Sequence, residues 1–77
     1  MINTYEVKLR FHEDTATKGE KEVYREFVGI YDSSSAVGNN QTKTTTVTIH
    51  SERELTQKGL ERFLGGIIPV LSFKKLE

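Results

Sequence analysis

Two short runs in this chain contain the residue types that perform acid–base and metal chemistry. His12-Glu13-Asp14 joins an imidazole to two carboxylates. On an extended backbone His12 and Asp14 point the same way, and such a pair is the beginning of a zinc or manganese site. A site needs further ligands, and His50 is the other histidine available. In an antiparallel sheet His50 could reach His12 from the far end of its own strand. Otherwise the run is a polar strand end leading into a turn, which is the reading favoured here.

His50-Ser51-Glu52 sets a base, a hydroxyl and a carboxylate side by side. A hydrolytic triad requires convergence in space, with the base bonded to the nucleophile and a third group orienting the base. Neighbours along the chain do not supply that. Ser51 serves better as a helix cap, and His50 falls on the hydrated face of a strand. Gly65-Gly66 follows a helix, whereas phosphate-cradling glycines precede one. At the helix start itself, Glu52 and Glu54 oppose an incoming phosphate. The sequence therefore predicts no catalytic set, no cofactor and no metal, and a small enzyme or metal-binding protein ranks third among its functional readings.

Aromatic side chains are the remaining candidates, because rings can stack on nucleobases. Tyr5 and Phe11 share the face of Val7 and Leu9 and are expected in the core. Tyr31, at an element end beside a long polar stretch, is the best candidate for an exposed ring.

These residues must be positioned by a small scaffold. Seventy-seven residues make one domain, 1–77, with no room for a second core. Such a chain buries roughly 60% of its extended surface, and without cysteine it has no disulfide staple. Eleven basic residues balance eleven acidic ones, so no concentrated positive surface is visible. No apolar run is long enough for a membrane span, which makes a cytoplasmic protein the expectation. Asn40-Gln41-Thr42 matches a glycosylation pattern and is read as a loop coincidence. Leu76 and Glu77 are given no role.

Thr4 to His12 alternates Tyr5, Val7, Leu9 and Phe11 with Glu6, Lys8, Arg10 and His12, a strand with one packed face. His12 to Glu20 is a polar connection with a turn at Lys18-Gly19. Residues 21–31 fit two periods. As a helix, Val23, Tyr24, Phe27, Val28 and Tyr31 form one stripe. The β-branched and aromatic composition and Gly29 favour a strand, bulged near Arg25-Glu26. Asp32 to Gln41 reads as an extended loop. Thr42 to His50 is a third strand, with Val47 and Ile49 inward and a threonine ladder on a solvent face.

Ser51 and Glu54 form a capping box for a helix over Glu52 to Leu64, whose stripe is Leu55, Gly59, Leu60, Phe63 and Leu64. Gly59 suggests close approach to a sheet or another helix. Gly65 and Gly66 supply its left-handed stop. Ile67 to Phe73 then forms a strand with apolar groups on both faces, and Pro69 assigns it to an edge or to an irregular start.

The resulting fold is α+β, a small antiparallel sheet in the order β-β-β-α-β with one helix packed on one face. The alternative is β-α-β-α-β, if residues 21–31 are helical. The leading functional expectation is a noncatalytic protein-binding or adaptor module acting as a homodimer. Its interaction candidates are Tyr31, Ile67, Ile68, Val70 and Phe73. Weak nucleic-acid binding through Lys8, Arg10, Arg25 and Lys74-Lys75 is the runner-up, and no membrane partner is expected.

Overall fold

The computed structural model describes residues 1–76; Glu77 lies outside them. Its elements are β1 (Asn3–Leu9), α1 (Lys18–Ile30), β2 (Ser33–Asn39), β3 (Thr44–Ser51), α2 (Gln57–Phe63) and β4 (Val70–Lys75). All strands join one antiparallel sheet in the order β2-β3-β1-β4. The chain is thus β-α-β-β-α-β, two interleaved split β-α-β units. The α+β class and the antiparallel sheet agree with expectation. The order β-β-β-α-β does not, and neither does β-α-β-α-β.

The first correction is α1, in the stretch favoured as a strand. Its start is fixed by a capping box one turn upstream. The Thr17 hydroxyl accepts from the Glu20 N–H at 3.2 Å, and the Thr17 N–H donates to Glu20 Oε1 at 2.9 Å. Lys18-Gly19 is therefore the first turn of a helix and not a reverse turn. Phe27 is fully buried, with Val23, Tyr24, Val28 and Tyr31 half-buried around it. Gly29 lies at the penultimate position, where its helical penalty is small, and the proposed bulge at Arg25-Glu26 disappears with the strand.

The second correction is β2, which occupies the predicted loop. Its weakly apolar residues gain strand geometry by pairing with β3, from Ser35↔Thr48 through Asn39↔Thr44. Asn39 Oδ1 closes the hairpin by accepting from the N–H groups of Gln41 and Thr42.

The third correction concerns α2. Ser51 is the last residue of β3, paired with Asn3, and its hydroxyl accepts from the Arg53 N–H at 3.1 Å. The helix begins six residues later at Gln57, where the Thr56 hydroxyl accepts from the Gly59 N–H at 3.1 Å. Gly59 is exposed, and a Cβ there would meet Thr56 Oγ1 and not a sheet or a second helix. The predicted stop holds, with Gly65 and Gly66 both at positive φ.

One core unites the elements. Tyr5, Val7 and Leu9 of β1 and Val47 and Ile49 of β3 line one sheet face, and Phe27, Leu60, Leu64 and Ile68 cover it. Both helices therefore pack on the same side. Two polar contacts orient the framework: buried Thr45 Oγ1 donates to the Phe11 carbonyl at 2.6 Å, and the half-buried Leu55 N–H donates to the Tyr5 hydroxyl at 2.8 Å. The opposite face carries Thr4, Glu6 and Lys8 of β1 beside Thr46, Thr48 and His50 of β3. No helix covers it, but the threonine ladder is less exposed than its pattern anticipated: Thr44 is buried and Thr46, Thr48 and His50 are half-buried, while Glu6 and Lys8 are exposed.

Candidate functional site

The antiparallel register of β1 and β3 decides the fate of both histidines. His50 pairs opposite Thr4 at the start of β1, whereas Thr45, five residues earlier, pairs with Leu9 near His12. The two imidazoles thus belong to opposite ends of the sheet, and the meeting required for a shared metal site does not occur. His12 instead closes a local turn. Its Nδ1 accepts from the Asp14 N–H at 3.2 Å and stands 3.8 Å from Asp14 Oδ2. Among the described residues no three His, Cys, Asp or Glu side chains are grouped to hold a metal ion.

His50 does have partners, but not Ser51 and Glu52. Its Nε2 lies 2.8 Å from Ser34 Oγ, and its Nδ1 lies 3.1 Å from Thr4 Oγ1. A serine bonded to an imidazole satisfies the first requirement of nucleophilic activation. The group on the far nitrogen is a hydroxyl, which cannot stabilise an imidazolium as a buried carboxylate does. The arrangement ties β1, β3 and the start of β2 together across the open face. Ser34 was invisible to sequence reasoning because its role depends on β2 being a strand.

The five predicted interaction residues separate by burial. Ile68 is in the core, at 1% exposure. Tyr31 is half-buried, its ring 5.3 Å from Phe27 and 5.5 Å from Phe63. It also lines a concavity of about 740 Å³ with Ile2, Ile30, His50, Arg53 and Leu55. Phe73 stacks on Tyr5 at 5.1 Å. Val70 is half-buried, and only Ile67 is largely exposed, at 48%.

The reason is a shift in alternation along β4. Phe73 opposes Val7 and Ser72 opposes Lys8, but Val70 opposes Leu9, leaving Leu71 as an extra residue. The bulge turns both Val70 and Phe73 toward the helices and Leu71 outward. The two-sided apolar strand is thereby converted into a mainly one-sided one.

β4 is an edge strand, as Pro69 anticipated, and the Pro69 carbonyl accepts from the Arg10 N–H at 3.0 Å. Proline, a bulge and two terminal lysines all blunt an edge against further pairing. The other edge, β2, carries no proline and no charged residue over Ser33–Asn39. Beside it runs a groove of about 290 Å³, bounded by Tyr24 and Val28 of α1 and by Ser33 to Ala36. At its far end Tyr24 stacks on Phe11 with ring centroids 4.3 Å apart. Burial raises the pKa of Tyr24 above 10.0, and the nearby Glu13 carboxylate adds to the shift.

No protein-family model matches the chain, and comparison with curated proteins and with solved structures finds no match.

Proposed function

We propose that this chain is a noncatalytic protein-binding module that engages partners through the margins of its sheet. The observation that carries this reading is the open sheet itself. β2 and β4 end it on either side, each with a row of backbone N–H and C=O groups facing no further strand. Exposed apolar side chains accompany both margins, Val37 on β2 and Ile67 and Leu71 beside β4. A second copy of the chain is one partner such a margin can take.

Nucleic-acid binding has less support. Lys8 and Lys74 share the open face through Glu6 and Ser72, their cross-strand neighbours, but Arg25 lies on α1, beyond the other face. Four-stranded sheets that read single-stranded RNA stack bases on aromatic rings of the open face. The central strands here present Thr4, Glu6, Lys8, Thr46 and Thr48 with one ring, His50, which is half-buried and bonded to Ser34 and Thr4, and their Tyr5 is in the core.

Affinity capture from native extract with the wild-type chain, Val37→Glu and Leu71→Glu tests the reading. A specific partner should be lost in one of the two variants. Retention of every specific partner by both would remove the sheet margins from the interaction.

A further inference from the structure

The two margins of the sheet are not equivalent, and only β2 has an unprotected edge. Ser35–Asn39 pairs with β3 in unbroken register, and the irregularity between Ser33 and Ser35 is confined to the strand's beginning. Its helix-facing residue Ala36 is small and borders the groove beside Tyr24 and Val28, which runs over Ser33 to Ala36, whereas at Gly38 the His12 ring fills the helix-facing side. At about 290 Å³ it lies at the lower limit of the roughly 300–1,000 Å³ typical of small-molecule pockets. Its position along an unpaired strand suits aliphatic side chains carried in by another strand.

We propose that the β2 edge and the adjoining groove bind an extended peptide by strand addition, with apolar side chains in the groove and acidic residues flanking them. This rests on the protein-binding reading and assigns it a site and a class of partner. Backbone pairing would supply affinity, and alternate side chains would supply selectivity. The preference for acid comes from α1. Lys21 is three residues before Tyr24 and Arg25 three before Val28, so helical geometry sets both cations on the flank that overhangs the groove. Both are exposed, and neither joins an ion pair among the described residues.

The same flank argues against a second copy at this edge. Pairing β2 with its own image about a two-fold axis sets one α1 beside the other. Lys21 and Arg25 then face like charges, a penalty that an acidic peptide does not meet. Glu13 stands by Tyr24 and Asp32 immediately precedes Ser33, so Lys21 and Arg25 are the cations of a groove that has a carboxylate toward each end.

The test is a titration of the isotope-labelled full chain, followed by amide NMR, with an end-blocked heptapeptide of glutamate, threonine, valine, threonine, valine, threonine and glutamate. In an extended peptide both valines and both glutamates share one face. Shifts should concentrate at Ser33–Asn39, Tyr24 and Val28. Lys21→Glu combined with Arg25→Glu should weaken binding about tenfold, which corresponds to about 1.4 kcal/mol. N-methylation of the peptide at the amides facing β2 should abolish it.

Absence of shifts at about 1 mM peptide, a concentration that detects even a −4 kcal/mol interaction, overturns the proposal. Shifts at Val70–Lys75 overturn it too but leave the protein-binding reading standing. Concentration-dependent shifts of β2 without peptide would assign this edge to a second copy and equally overturn it.

Discussion

Tyr24 links the core, the groove and the polar turn within one side chain. Its ring stacks on Phe11, its flank lines the β2 groove, and its pKa is raised first by burial and second by Glu13. A raised value means that the folded protein keeps the phenolic proton at a pH where the unfolded chain has released it. That contribution to stability is whole below pH 10.0 and is lost as pH rises through the higher folded value. Urea denaturation of the wild type should therefore show declining stability above pH 10.0. Tyr24→Phe should flatten that decline while retaining the ring stack; an unchanged slope would assign the alkaline loss to other groups. The partners of His50 illustrate the opposite case at this scale. Its strand position was readable from alternation, but its contacts with Ser34 and Thr4 depend on two pairing registers that no local pattern states.

Helix boundaries turned on which of several plausible caps was used. Thr17 caps α1 and Thr56 caps α2, while Ser51 ends a strand. Thr17→Ala should destabilise the protein by about 1 kcal/mol through loss of the hydroxyl that accepts from the Glu20 N–H. Ser51→Ala should stay within about 0.5 kcal/mol of wild type, as surface changes away from caps do. Equilibrium denaturation of the two variants measures the contrast, and equal losses would contradict these assignments. β1 and β3 were legible because Tyr5, Val7 and Leu9, and then Val47 and Ile49, alternate in a simple period of two. α1 was ambiguous because Val23, Tyr24, Phe27 and Val28 favour strands individually but form a helical stripe together. Its Thr17–Glu20 capping box was present in the sequence, although Gly19 gave the same residues the look of a turn. β2 was not legible: serine, alanine and glycine have little strand preference, and β3 supplies the pairing that organises them. That omission also concealed the groove, since a loop has no edge beside which a groove can run.

At the scale of the whole molecule, protection should decrease outward from the middle of the sheet. β1 and β3 have strands on both sides and hold the sheet's core residues Tyr5, Val7, Leu9, Val47 and Ile49; β2 and β4 have one neighbour each. Native-state hydrogen exchange should find the slowest amides in β1 and β3, with faster exchange in β2 and β4. Comparable exchange across all four strands would show that the sheet opens only as a unit. The central place of β1 also sets an order of events during protein synthesis. β1 emerges from the ribosome before either strand that flanks it, and its second neighbour, β4, begins only at Val70. At roughly 5–20 residues per second the interval lasts seconds, during which Tyr5, Val7 and Leu9 have no finished sheet to enter. The nascent chain must keep the core face of a central strand in waiting until β4 has been made.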